Sequence, residues 1–549
     1  MKLSVCRTFS LGVCVFIILS AAANLRAGGT SVFNVKDYGA TGVKADDARP
    51  AIQKAIDACV AAGGGMVYLP PGEYTSGTLY LHSHVRFHIE AGATLFASQD
   101  PKAFNGEPVA SKASLLFGED LENVSLEGRG TVNGQAEYDW RPDDIEDVFL
   151  REAKRLMLAQ GKSILRPFPK GHPGRAIYPH LVWLGRSKDV HITGLSFIYS
   201  PSWTMVFHAS DGIVVDGIYM YTKLDEAVWA DGIDLDGCKD VLISNSVIET
   251  GDDCIAIFSG DFWGPARICE NITVTNCRLS SSANAVKFTE GNVWGVRNVV
   301  INNCVISDDS SGFAFLVSDG GFVSDVLISN ITMDLRRFGW YYGQGGPFGF
   351  AIKRRNEWTG QPVQKEGYFP GAIRNVTIRN LIVHAKGRCH VDGHPASWID
   401  GLNLENIKLF VATDPNAPFD WVTNAMQFHW VKNLKLKDIE IQWGKPASDK
   451  WRNALYLEDV QGLEIDGFAA RQAWPEREDP AVVFKNVSDV MVRNSRALEG
   501  TKTFLRVAGK ESHEIVLYGN DLRKAKVAYQ VDKDVASDAV RMLNNIPTK

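Results

Sequence analysis

Long apolar runs are nearly absent from this 549-residue chain, and the one near the start is short. MKLSVCRTFSLGVCVFIILSAAANLRAGG carries Lys2 and Arg7, an apolar core over 11–19, and then small residues. That is the layout of a secretory signal peptide, with cleavage after Ala23 or Ala27. The core is too short for an uncleaved anchor to span a bilayer, and no later segment is long and apolar enough to do so. Residues 1–27 are therefore expected to be a leader for export to the periplasm or outside the cell, and 28–549 a single domain.

A charge excess is also lacking. With 58 Lys+Arg against 64 Asp+Glu, the net charge of −6 gives no basis for a nucleic-acid or anionic-membrane partner. Cysteine is sparse. Removing the leader leaves Cys59, Cys238, Cys254, Cys269, Cys277, Cys304 and Cys389, an odd number without a tight framework, which argues against a disulfide-built fold. Cys277 and Cys304 each follow an asparagine and are expected to stack as small buried side chains. No CxxC or histidine cluster offers a structural zinc site. Hydrophobic content of 45% excludes disorder, and the 50 glycines favour turns over long helices.

What is present is a recurring phrase of alternating apolar and polar residues. It occurs as DVHITG (189–194), DGIVVDG (211–217), DVLISN (240–245), NITVTN (271–276), NVVINN (298–303) and DVLISN (325–330). It continues as NVTIRN (375–380), GLNLEN (401–406), NLKLKD (433–438), GLEIDG (462–467) and DVMVRN (489–494). Most starts lie 22 to 32 residues apart, with one interval of 50. Period-two alternation ending in Asn, Asp or Gly predicts a strand closed by a turn. One strand per repeat, with no amphipathic helix between copies, predicts an all-β, single-stranded parallel β-helix. Its coils stack about 4.8 Å apart around apolar columns, with asparagine ladders at the turns. A β-propeller needs more strands per repeat, and a βαβ array needs helices that the sequence lacks. Ahead of the coils, DDARPAIQKAIDACVAAGGG predicts a helix starting near Asp46–Asp47. Its apolar face is Ala51, Ile52, Ala55, Ile56 and Cys59, suited to cap the open end of the array.

Against that architecture, WADGIDLDGCKDVLISNSVIETGDDCIAI (229–257) acquires meaning. Asp231 and Asp253 are 22 residues apart, the shortest repeat interval, so they should fall on adjacent coils at one position of the cross-section. Asp252 and Asp253, being consecutive, should sit at a bend where both side chains emerge. Clustered carboxylates raise the pKa of at least one member. A protonated carboxyl beside an ionised one is the apparatus of glycoside hydrolysis. Turn aspartates or calcium ligands are the alternative that spacing alone leaves open.

The stretch resembles the signature region of glycoside hydrolase family 28, the polygalacturonase and rhamnogalacturonase family. There Asn-x-Asp-Gly-x-Asp precedes Gly-Asp-Asp-Cys by about one coil, as Ala230–Asp234 precedes Gly251–Cys254 here. FNVKDYGATG (33–42), GGGMVYLPPGEY (63–74), HIEAGATLFAS (88–98) and SPSW (200–203) extend the likeness over 31–335. The resemblance implies a right-handed coil and hydrolysis with inversion, Asp252 acting as general acid while Asp231 and Asp253 hold and deprotonate the water. It implies no metal or organic cofactor. The expected substrate is a pectin-related plant cell-wall polysaccharide or a derived oligosaccharide.

The family pattern then breaks. Its Gly-His-Gly is replaced near Asn284, its Arg-Ile-Lys by a segment carrying Ala314 and Leu316, and its first asparagine by Trp229. Without the usual carboxylate clamp, rhamnogalacturonan or a decorated oligosaccharide fits better than plain polygalacturonate. Substitute substrate contacts are expected from Trp229, Asn284 and Lys287, although a lysine in an alternating strand is otherwise a solvated residue. Glu290 is a weaker candidate. The long interval 331–374 adds Trp340, Tyr341, Arg354 and Arg355, whose rings and guanidinium groups suit a sugar cleft. A polysaccharide lyase acting on a uronate polymer, or a non-catalytic glycan-binding β-helix, are the competing readings.

Overall fold

A computed structural model describes residues 31–105, 112–136, 179–224, 227, 230–261, 263–288, 293–338, 345–354, 369–414 and 422–548. The expected leader, Trp229, Glu290, Trp340, Tyr341 and Arg355 lie outside those residues. Successive strands pair in parallel with their counterparts one coil away, and the coil has three walls. The first wall runs through His180–Gly185, Met205–His208, Ile233–Asp236, Ile255–Phe258, Val286–Phe288 and Phe313–Val317. The second contains the recurring phrase: Lys188–Thr193, Asp211–Asp216, Lys239–Ser244, Cys269–Thr275 and Gly295–Asn302. The third is short, with Ser196–Ile198, Tyr219–Tyr221, Val247–Thr250 and Arg278–Ser281.

The phrase is bounded where its turn residues predict. Asp189, Asp240, Asn271, Asn298, Asp325 and Asn375 open it with φ between 53° and 61°. Asn245, Asn276, Asn303, Asn330 and Asn380 close it with φ between 53° and 60°. Asn and Asp tolerate this left-handed conformation better than other side chains, which is why they recur there. The expected ladders form. Asn330 Nδ2 donates to Asn303 Oδ1 at 3.1 Å, Asn380 to Asn330 at 2.9 Å and Asn406 to Asn380 at 3.0 Å. Inside the coil, Phe288, Phe315 and Phe350 stack at centroid spacings of 4.4 and 4.1 Å. Each such buried ring contributes about 1.5–3 kcal/mol.

The 50-residue interval is one coil rather than two. Phe322–Leu335 pairs directly with Ala372–Ala385, and the first-wall strand Phe348–Ile352 lies between them in sequence. The capping helix spans Arg49–Ala61 and buries the predicted face, Ala51, Ile52, Ala55, Ile56 and Cys59, against the first strands. Its cap differs in detail. Ala48 is the N-cap residue, and Asp47 instead accepts the Arg49 N–H at 3.0 Å, with proline in the first turn. All seven cysteines outside the leader are buried thiols without a disulfide.

Candidate active site

The acid cluster sits where the third wall turns into the first. Asp252 and Asp253 occupy the bend between Val247–Thr250 and Ile255–Phe258, as their adjacency predicts. The bend is held from several sides. Thr250 Oγ1 and Ser281 Oγ both donate to the Asp252 carbonyl, at 2.8 and 2.7 Å, and the Gly251 N–H donates to Thr222 Oγ1 at 2.8 Å. Gly251 has to be glycine, because a Cβ there would lie 2.2 Å from the Ala227 carbonyl oxygen. Cys254 is buried beneath, its thiol donating to the Ser280 carbonyl at 3.2 Å.

The coil spacing does what the sequence interval predicts. The Gly232 N–H donates to the Asp253 carbonyl at 2.8 Å and the Ile233 N–H to that of Cys254 at 3.0 Å, so Asp231 lies beside Asp253 on the neighbouring coil. One carboxylate oxygen from each of Asp231, Asp252 and Asp253 comes within 4.8 Å of the other two. All three residues are buried, at 6%, 6% and 2% exposure.

Their surroundings differ. Asp253 accepts from two donors: Asn284 Nδ2 reaches Oδ1 at 2.6 Å, and Lys287 Nζ lies 3.1 Å from Oδ2. Donors on both oxygens are the surroundings of a carboxylate, not of a carboxylic acid. On the adjacent coil, burial pushes the Asp231 carboxyl well above the usual range, helped by the charges of Asp252, Asp234 and Asp253. Asp234, buried on the outward side of the Ile233–Asp236 strand, is raised for the same leading reason, with the charges of Asp253 and Asp252 adding to it. Among the described residues, Asp231 Oδ1 and Asp234 Oδ2 are buried without a hydrogen-bond partner. The site thus sets two desolvated carboxyls, both pushed toward the protonated form, one coil away from a donor-saturated carboxylate.

Several expected contacts land elsewhere. Lys287 is no solvated residue; it is 6% exposed and its ammonium is directed at Asp253. Asn284 also serves Asp253. Arg354 does not join the cluster. Its strand lies three coils on, about 14 Å by coil spacing, and its guanidinium covers Phe369 with 4.8 Å to the centroid. Ala314 faces outward in register with Lys287, followed by Gly349, so no clamp replaces the missing one at that position. Asp234 was passed over, although the alternation Ile-Asp-Leu-Asp at 233–236 signals that both aspartates point out of the core.

A family model described as glycosyl hydrolases family 28 matches residues 169–335, the segment that carries all three aspartates. Over that segment the chain is similar to glycoside hydrolase family 28, from whose pattern it diverges. A second model, rhamnogalacturonase A/epimerase, pectate lyase-like, matches residues 32–130. Over 372 residues the chain is 24% identical to a probable polygalacturonase of Vitis vinifera, covering 64% of this chain and 68% of that protein. The Thermotoga maritima exopolygalacturonase structure superposes with a TM-score of 0.58 at 20% identity, covering 75% of this chain and 92% of the other. The Yersinia enterocolitica family 28 exopolygalacturonase gives 0.60 at 17% identity, with 80% and 79% covered. The fold is accordingly the right-handed parallel β-helix, and the chain is a glycosidase.

Proposed function

We propose that this glycosidase is exported and hydrolyses a pectin-related polysaccharide or oligosaccharide with inversion at the anomeric carbon. The observation that carries the reading is the contrast inside one cluster: Asp253 with donors on both oxygens beside the desolvated carboxyls of Asp231 and Asp234. Asp252 donates its proton to the glycosidic oxygen as the bond to the anomeric carbon breaks. A water held by Asp231 and Asp253 gives its proton to Asp253 and attacks that carbon from the opposite face. The products are a free alcohol on the leaving sugar and an inverted hemiacetal, with the cluster reset by one proton exchange.

The three carboxylates stand closer than the roughly 6.5–9.5 Å common to inverting pairs. Inversion is therefore supported by the likeness to family 28, and the anomer of the first product tests it directly. Lys287 already supplies to Asp253 the positive charge that a bound cation would supply, which favours hydrolysis over calcium-assisted elimination. Ala314 and Leu316, both small or apolar where the family has cations, favour a substituted pectic substrate over unbranched polygalacturonate. The basic, apolar and small-residue order of residues 1–27 supports export.

The deciding experiment offers a panel of plant cell-wall polysaccharides to the enzyme and follows reducing ends, ultraviolet absorbance and product anomers by NMR. Reducing ends with inverted anomers, insensitive to chelator, are expected. Absorbance growth abolished by chelator, or retained anomers, would overturn the mechanism.

A further inference from the structure

The outward column of the first wall that carries Lys287 runs on through Ala314, Gly349, His390 and Gln427, one residue per coil. After its two small members the column turns polar again, three to four coils beyond Lys287, or about 14–19 Å. Arg388 brings a charge to that stretch. It stands at the bend before the first-wall strand Cys389–Asp392, as Asp252 and Asp253 stand before theirs.

Arg388 is a desolvated cation. Burial pulls its pKa below the ordinary arginine value, and Asp392 is the charge that counters this. Among the described residues its guanidinium donates from Nη1 to Gln427 Oε1 at 3.2 Å and forms no ion pair. A guanidinium has five N–H donors, so most of that capacity is idle. Beside it, Asn424 is 6% exposed and donates from Nδ2 to the same Gln427 oxygen at 3.4 Å. Its Oδ1 is buried and, among the described residues, accepts from nothing. Toward the acid cluster, the His390 ring lies across Gly349, where a Cβ would meet it at 2.4 Å. Burial foremost holds that imidazole down to about 4, so at pH 7 it is neutral.

A desolvated cation without a counter-ion is a burden on the fold, and a ligand carboxylate laid against the idle N–H groups would offset it. A hydroxyl of the same ligand would donate to Asn424 Oδ1. One carboxylate with a neighbouring hydroxyl is the pattern of an acidic sugar, whereas a bare inorganic anion would leave Asn424 unsatisfied.

We propose that Arg388, Asn424 and Gln427 form a distal anchoring site for an acidic sugar of the polysaccharide, so that a chain must extend past the small-residue floor to bind tightly. The proposal rests on the glycosidase reading for the position of the scissile bond at the acid cluster, and on the geometry of these three side chains for the binding.

Calorimetry on the Asp252→Asn variant tests it with oligogalacturonides of increasing length, and with long oligomers whose carboxyls have been reduced to alcohols. The long acidic oligomer is expected to bind at least about tenfold tighter than a trimer. Arg388→Met should remove that gain, leave trimer affinity within about twofold and keep or raise the Tm, because it deletes a buried charge that lacks a counter-ion. No gain with length, a gain that survives Arg388→Met, or an equal gain for the reduced oligomer would overturn the site. So would a lower Tm accompanied by an equal loss of trimer affinity, which marks a structural arginine. If the gain appears and depends on Arg388 while the wild type releases no reducing ends from any pectic substrate, the anchoring site stands and the hydrolase reading falls. Cleavage of pectic chains without the length dependence does the reverse.

Discussion

Toward the N terminus from Asp231, the first wall presents Trp203 and Trp263; toward the C terminus from Asp253, it presents Lys287 and then Ala314 and Gly349. One flank is aromatic, and among the described residues Lys112, Arg186 and Arg267 near it pair with acids. The other has one cation paired with Asp253 and beyond it a floor of small residues. A cleft built for a uniform polyanion has reason to place free cations on both sides. This asymmetry teaches that a cation beside clustered carboxylates can be taken up by the cluster itself, as Lys287 is by Asp253.

The comparison can be broken at its centre first. Asp252→Asn removes the proposed proton donor that both flanks serve, and kcat should fall by about 10²–10⁴-fold with the circular dichroism spectrum unchanged. Near-normal turnover would leave the asymmetry without a reaction to explain. On the C-terminal flank, Lys287→Met should lower kcat by about 10–100-fold and move the acid limb of the pH–rate profile upward, because an ammonium no longer stabilises the ionised Asp253. A change in KM alone would make Lys287 a substrate contact after all.

Between the flanks, the raised Asp231 carboxyl implies a stability cost with a definite sign. The folded state holds this proton more tightly than the unfolded chain, so stability falls as pH rises from about 4 through the folded value. Asp231→Asn should therefore raise the Tm at pH 7 by a few degrees while abolishing activity, with the gain shrinking toward pH 3.5. Equal gains at both pH values would point to a cause other than desolvation. The smallest effect is expected away from both flanks. Asn330→Ala breaks two ladder bonds and leaves alanine in a left-handed backbone, costing about 1–2 kcal/mol in denaturant unfolding with no change in rate.

Much of this was legible in the sequence because a coil turns distance along the chain into position in space. The 22-residue interval from Asp231 to Asp253 read directly as lateral neighbours, and the Asn and Asp at phrase boundaries read as left-handed turns. Interval arithmetic fixes height and angle on the coil, but not where a long side chain ends. Lys287 was placed correctly on its strand, yet alternation alone gave it to solvent; its pairing depended on a carboxylate one coil back. Arg354 was assigned by composition of a long segment, which carries no register at all, and it covers Phe369 instead. Trp203 and Trp263 are two coils apart in sequence and meet only through their rotamers, which no interval encodes.

The helix at Arg49–Ala61 closes the first rung, where unpaired strand edges and an open apolar column would otherwise face water. Left bare, that end would offer its strand edges as a template for pairing with another chain. Thirteen residues thus shield the first rung from end-to-end pairing.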